Sequence, residues 1–537
     1  MKRLAAVLLC FSLLLCVTAC EEKAPSNANK SFQYHLDAEP KTLDPQIAND
    51  TSGTILIQAL FEGLTRLDAD GDPTPGVAES WTPNDTFTEF TFTLRQDAVW
   101  NDKEKTPVTA DDFVYAFRRA LDPATGSTTS DPLMCIQNAR AVRNGELPLE
   151  QLGITAAGTH KLVVTLAYPY EDFPKLTASA VCMPCHEPFF ESTKGRYGLE
   201  KSTLLGNGPF AIDGIYGWEH GSYINLRRFS GYSGDIKPLP SDIKFSIGSK
   251  KADVSDPIAA LKNGTVDAIA MPAKRVEEAK EMGCTITRFE DTTWGLCFNT
   301  QNALMRNLNI RKAFTQSFDR ARVLSHLPAG TTAAENIITP DTRLFGKNYR
   351  EQAGGPFYLE QDTQAAQYLA AGIQELGLET LPKVTILCPD DPEVRLMVNE
   401  MLTEWNAQFD YYFNMESLSK RELASRVASG NYQLAICSIT PDAEGPLAVL
   451  NLFKSSSQNN PAGLRSTGYD EHLSAAEHQS GVEAAATCAA MERYLNEQCI
   501  FYPLYYESHY FASAPGVTGI VFHPYGGGVD FISAGKG

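Results

Sequence analysis

The chain has 537 residues, 43% of them apolar and 21% charged, with a formal net charge of −19. At roughly 100–200 residues per domain, this length allows two to four lobes with sizeable cores. The acidic balance argues against a nucleic-acid partner and against electrostatic adsorption to anionic lipid, and it favours solubility.

Lys2-Arg3 is a basic start, and residues 4–17 form an apolar run of 14. That run is too short to cross a hydrocarbon core of about 30 Å comfortably as a helix. Val17-Thr18-Ala19-Cys20 follows and looks like a bacterial lipobox. It implies a signal peptide at 1–19, with the Cys20 thiol diacylglycerated at a new N-terminus. An ordinary cleaved signal peptide is the alternative. Residues 20–30 are polar, with Pro, Ser and Asn, and suit a flexible tether. No later run reaches 18 apolar residues, so no transmembrane helix is expected. The chain is expected to stand lipid-anchored on the extracytoplasmic face of a membrane, at a cell surface or in a periplasm.

Next comes Glu39-Pro40-x-Thr42-Leu43-Asp44-Pro45, then Phe61-Glu62-Gly63-Leu64. Residues 90–94 and 161–166 carry strand signatures. Thr109 is placed to N-cap a helix whose first turn holds Asp111 and Asp112 and which stops before Pro123. Trp100-Asn101-Asp102 and Leu121-Asp122-Pro123 flank it. Asn207-Gly208-Pro209-Phe210 reads as a turn feeding a strand, with alternation at Tyr223-Ile224-Asn225-Leu226. From residue 383 the pattern alternates: strand 383–388, helix 393–409, strand 411–415, helix 420–428, strand 433–439. That order implies βαβ units and a mostly parallel sheet.

These motifs, in this order, resemble the extracytoplasmic solute-binding proteins of the peptide/nickel ABC-importer family, the oligopeptide- and dipeptide-binding proteins. Asn299, Arg311-Lys312-Ala313, Asp319-Arg320 and Pro503-Leu504-Tyr505-Tyr506 extend the resemblance over essentially the whole mature chain. It implies an α/β, periplasmic-binding-protein-like fold (type II, cluster C): two large lobes joined by a two-stranded hinge, with an extra small lobe. Lobe I would comprise 31–75, 205–292 and 506–537, the inserted small lobe II 76–204, and lobe III 293–505. The crossings would lie near Thr293 and Tyr505. The implied function is capture of a solute, peptides foremost, by a monomer that delivers it to permease subunits in the membrane. Nickel chelates, oligosaccharides, other cationic solutes and peptide-pheromone sensing are the alternatives.

In open α/β sheets ligands bind beyond the carboxyl ends of strands. Residues 433–439 run into Thr440-Pro441-Asp442, and the family's peptide binders carry an Asp in this loop that pairs with the peptide α-ammonium. Asp442, four residues before Pro446, is the corresponding residue, or else a loop cap making an Asx-turn. The resemblance points to Ile439, Thr440, Trp294, Asn49, Thr129 and Tyr505 as further ligand-binding positions. Several depart from the family pattern: Ile439 stands for a Trp, Thr129 for a Tyr, Asn49 for a Glu and Ile436 for a basic residue. Trp294 has hinge packing as its alternative role.

Beyond Cys20, nine cysteines remain: Cys135, Cys182, Cys185, Cys284, Cys297, Cys388, Cys437, Cys488 and Cys499. The odd number and loose spacing do not make a disulfide framework, and most are expected as buried thiols. Cys182-Met183-Pro184-Cys185-His186 satisfies the c-type haem pattern, with a chance match near a turn as the alternative. No cofactor and no metal site are expected. No G-x-S-x-G elbow, H-E-x-x-H, P-loop or G-x-G-x-x-G entering a helix is present, so no enzyme is expected.

Overall fold

A computed structural model describes residues 29–248, 253–410, 413–441, 443–457, 459–523 and 528–537. The leader, Cys20 and most of the tether lie outside these residues. Among the described residues no helix is long and apolar enough to cross a membrane.

Three larger sheets organise the chain. In the first, Ser31–Leu36 runs parallel to Asp242–Ile247, which pairs with Tyr223–Arg228; that strand pairs in turn with Phe210–Ile212 and Trp218–Glu219. The second is antiparallel, in the order Ala78–Pro83, Glu89–Leu94, Lys161–Thr165, Ile154–Ala156. Alternation in Glu89–Leu94 turns Phe90, Phe92 and Leu94 inward. One continuous core takes side chains from both sheets, including Phe32, Phe61, Phe90, Trp100, Phe117, Phe210, Phe245 and Phe531.

The sequence motifs near residue 60 knit this core together. Asn207 accepts from the Glu62 N–H (3.0 Å) and donates to the Glu62 carbonyl (2.9 Å). Gly208 lies so close to the chain that a Cβ there would sit 2.5 Å from the Phe61 nitrogen, which is why the motif needs a glycine. The helix Ala110–Leu121 starts at Thr109 as expected, and the Asp112 carboxylate reaches back to the Thr109 N–H (2.8 Å). On its far side Arg119 forms a bidentate ion pair with Asp44 of the Leu-Asp-Pro motif and donates to Gln46. Its guanidinium lies 4.3 Å from the Phe190 ring centroid. Asp44, Gln46 and Arg119 are all buried.

The third sheet has seven strands, in the order Ala268–Ala270, Phe501–Ser513, Thr285–Phe298, Leu434–Ile439, Thr385–Pro389, Asn414–Leu418, with Thr331–Ala333 pairing Phe501–Ser513. The helices Pro392–Phe409 and Lys420–Ala428 make the βαβ connections, and the second has the expected bounds. The expectation of a mostly parallel sheet is corrected. Only Thr385–Pro389 has parallel neighbours, Asn414–Leu418 and Leu434–Ile439; the other pairings are antiparallel. The reason is topological: the chain enters through Thr285–Phe298 and leaves through Phe501–Ser513 side by side, which forces opposite directions. The strand expected at 411–415 begins instead at Asn414. Asp410, in the left-handed conformation (φ 54°), ends the preceding helix; residues 411–412 are outside the described ones.

Apolar side chains on the two faces of this sheet feed two cores. One is built around Phe298, Phe314, Trp405 and Leu434, the other around Cys297, Ile439, Phe453 and Phe501. A small third cluster (Leu261, Val266, Met271, Cys284, Ala512) covers the opposite ends of the two long strands. Those strands therefore run from one body of the molecule into the other.

Candidate functional site

The crossing is where the expected site residues first converge. Thr293 lies opposite Tyr506 and Trp294 opposite Tyr505, with register shifts between Glu290 and Thr292 and between Trp294 and Gly295. The first shift leaves Asp291 outside the ladder register, and its carboxylate lies 2.7 Å from Nδ1 of His509. That hydrogen bond holds the His509 imidazole above its ordinary pKa, against the opposing effect of burial.

On the other side of Thr285–Phe298, Ile439 pairs with Thr293 and is buried. The strand Leu434–Ile439 thus ends at the crossing. The next residue, Thr440, is exposed, and its hydroxyl lies 3.0 Å from that of Thr292. The buried Trp294 ring stacks on Tyr505 at 5.9 Å and 12°. Its indole N–H donates to Glu507 (2.5 Å), and the Lys420 ammonium lies 5.3 Å from the ring centroid and 3.3 Å from the other Glu507 oxygen. Burial and then Glu507 push the Tyr505 phenol well above its usual pKa, so it stays a neutral donor. Thr440, Trp294 and Tyr505 therefore gather at the crossing, whereas Ile439, adjacent in the ladder, packs into the core on the other face of the sheet; Trp294 has the packing role alongside any contact with a ligand.

Glu507 and Lys420 belong to this cluster and were not anticipated. Lys420 could have been: it opens a helix directly beyond a parallel strand, the position where α/β sheets bind ligands. Glu507 sits within a long strand and carries no local signal.

Asn49 and Thr129 lie on the first body. Asn49 is exposed, accepts from Lys41 (3.3 Å) and donates to the Thr128 hydroxyl (3.2 Å). The Thr129 N–H donates to Ser127 (3.4 Å), whose hydroxyl donates to the Gln46 carbonyl (2.6 Å). The two are neighbours on the segment that Arg119 fixes, separate from the cluster at the crossing. Asp442 lies outside the described residues. Two residues on, Glu444 forms an ion pair with Lys175 of the first body. Nearby, Asp172 accepts from the Phe345 N–H (3.1 Å), and Arg343 donates to the Asp70 carbonyl (2.8 Å) and pairs with Asp72 (3.2 Å). The groups gathered here are hydrogen-bond donors, acceptors and aromatic faces, which suit holding a solute.

The haem-like pattern has a structural explanation. Cys182 and Cys185 are fully buried, and burial pushes both thiols up to about 12. His186 caps the helix Glu187–Ser192, with Nδ1 accepting from the Phe189 N–H (3.2 Å), and sits edge-on to Trp100 at 5.8 Å. All nine cysteines among the described residues are buried free thiols, Cys297 and Cys437 included. Folded protein at about pH 8 is therefore expected to leave Cys182 and Cys185 unmodified by a thiol reagent, whereas denatured protein reacts at both; peptide mapping after a short pulse checks this.

A family model described as bacterial extracellular solute-binding proteins, family 5, matches residues 72–461. The chain is 25% identical over 513 residues to the dipeptide-binding protein DppE of Bacillus subtilis, covering 94% of this chain and 92% of that protein. It is 27% identical to the periplasmic murein peptide-binding protein MppA of Escherichia coli, covering 88% and 86%. Among solved structures, Listeria monocytogenes OppA bound to peptide superposes with a TM-score of 0.70 over 95% of this chain and 99% of that one, at 23% identity. The last likeness shows the fold, that of a type II periplasmic binding protein.

Proposed function

Because the chain belongs to the bacterial extracellular solute-binding proteins of family 5, we propose that it is the capture subunit of an ABC importer and that its ligands are peptides. The observation that supports this best is the antiparallel pair of strands joining two separate cores, with the strand Leu434–Ile439 ending at the crossing beside Trp294 and Tyr505. Such a frame opens and closes around a solute.

In this reading lobe I is 31–75, 205–292 and 506–537, lobe II is 76–204 and lobe III is 293–505. Asp442 anchors the peptide ammonium by a charge-assisted hydrogen bond. Ile439, Thr440, Trp294 and Tyr505 line the lobe III side, and Asn49 and Thr129 the opposite wall. Cys20 carries lipid after removal of 1–19, and residues 20–30 tether a monomer to the outer face of the membrane. The permease recognises the closed form, and the protein itself does no chemistry. The dipeptide and murein-peptide ligands in the names of its relatives support the choice of solute.

Native mass spectrometry of protein purified without unfolding, followed by denaturing release, tests this. A mixture of short peptides is the expected result. A single non-peptide mass overturns the peptide assignment and leaves the fold untouched.

A further inference from the structure

We infer that the loop 213–217 makes a second, apolar contact with the membrane, seating Ile215 and Tyr216 among lipid headgroups and so fixing which way the first body faces the bilayer. The inference rests on the reading of this chain as membrane-anchored at Cys20, but not on what the solute is.

Ile215 is 85% exposed and Tyr216 82%. Among the described residues no other two adjacent large apolar side chains are so exposed. The edge of the first sheet is interrupted here. Phe210–Ile212 and Trp218–Glu219 both pair with Tyr223–Arg228, and the residues between them bulge out opposite Asn225. The Asn225 carbonyl accepts from the Asp213 N–H (2.8 Å), and its N–H donates to the Gly217 carbonyl (2.7 Å). Gly214 is left-handed (φ 60°), and a Cβ on Gly217 would lie 2.3 Å from the Asp213 carbonyl oxygen, so both ends of the turn favour glycine. The root is held firmly. Glu39 accepts from the Trp218 indole N–H (2.9 Å) and the Gly221 N–H (2.8 Å), and lies 2.7 Å from Nδ1 of His220. Trp218 packs against the core beneath. Lys201 donates to the Gly214 carbonyl, and Arg227 pairs with Asp213 (3.3 Å).

A single exposed apolar residue, such as Val482 (76%), needs no explanation. An aliphatic side chain beside a tyrosine on a braced tip, with a lysine and an arginine at its root, is the composition that lipid interfaces select. The tyrosine ring sits at headgroup depth with its hydroxyl wet, and the basic groups face lipid phosphates. A bilayer also receives a narrow protruding tip without a matching socket. The acidic chain, at −19, is not drawn to the membrane by its overall charge, so the contact must be local and apolar. The reach is sufficient. Residues 21–30 separate Cys20 from the strand Ser31–Leu36 and extend to about 35 Å at most. That strand lies three strand spacings, about 15 Å, from the edge that carries the tip. Two side chains hold lipid weakly by themselves. Once the N-terminus is at the surface, their contact becomes intramolecular and needs little affinity.

The experiment uses the whole mature chain from Glu21, held by an N-terminal hexahistidine on nickel-chelating lipid in vesicles of phosphatidylcholine and phosphatidylglycerol. An environment-sensitive fluorophore is placed on Ile215→Cys or, for comparison, on Val482→Cys, both exposed positions. A short labelling pulse spares the nine buried thiols. On the vesicles the label at 215 is expected to shift to shorter wavelength and to be quenched by lipid carrying a doxyl group, and the label at 482 to do neither. Tyr216→Ser should diminish the shift at 215. A label at 215 that stays in water overturns the inference, and is the result expected if the tip docks on a protein absent from the vesicles. Equal quenching at both positions means non-specific adsorption and overturns it too. So does a shift that survives Tyr216→Ser undiminished, which comes from the fluorophore alone. The tag does the holding, so none of these results depends on lipid at Cys20; the mass of the native N-terminal peptide decides that separately.

Discussion

Asp442→Ala is expected to lower peptide affinity by about a hundredfold to several thousandfold, corresponding to the roughly 3–5 kcal/mol lost when one partner of a buried charge pair is removed. Leu434–Ile439 ends at the crossing, so the loop that follows it opens between the two bodies. In a closed cleft from which water is excluded, the α-ammonium of a peptide needs a carboxylate, and losing it leaves a desolvated cation. Titration calorimetry with a peptide recovered from the native protein measures the loss. The thermal midpoint of the empty variant should stay within about a degree of the parent, because loop substitutions away from the core usually change stability by under about 0.5 kcal/mol. Unchanged affinity would reassign Asp442 to an Asx-turn ahead of Gly445-Pro446.

Arg119→Ala should act in the opposite way, costing about 3–5 kcal/mol of stability while leaving the groups at the crossing intact. Arg119 satisfies both oxygens of Asp44 and the Gln46 side-chain oxygen, and Phe190 covers its guanidinium. Without it, Asp44 becomes a buried carboxylate stripped of its charge partner, 3% exposed. The melting transition of this body is expected to fall by roughly 5–15 °C, read by scanning calorimetry. Asn49 and Thr129 hang from the same segment, so any loss of solute affinity should be recovered at temperatures where the variant is fully folded. An unchanged midpoint would mean that the motif aspartate is not held by this arginine.

These two residues also show what the sequence made legible. The Leu-Asp-Pro motif and the helix after Thr109 were both readable as local patterns; that Asp44 and Arg119 meet was not, because 75 positions separate them. The helix Lys420–Ala428 was placed without error because polar residues and a serine cap frame a short amphipathic stretch. The resemblance places a crossing strand near Thr293, but the length of Thr285–Phe298 carries no local signature, for a physical reason. Its second half is buried on both faces, so it lacks alternation, and its first half is only partly covered. The mixed sheet follows from that strand and was missed with it. Lys175 and Glu444 are 269 positions apart, and no periodicity links such a pair.

The register shift at Asp291 has a mechanical consequence. A continuous ladder resists bending, because rotation between its halves must break hydrogen bonds. Here the ladder is already interrupted, and the displaced residue is engaged through its side chain by His509. Compliance is thus confined to a gap one residue wide between two stiff plates. A bend taken up at that gap breaks fewer ladder bonds than bending a continuous ladder would, so less of a solute's binding free energy goes into deforming the frame. On the proposed assignment, the lining could then vary, at Ile439, Thr129 and Asn49 among others, without altering the bend at this gap.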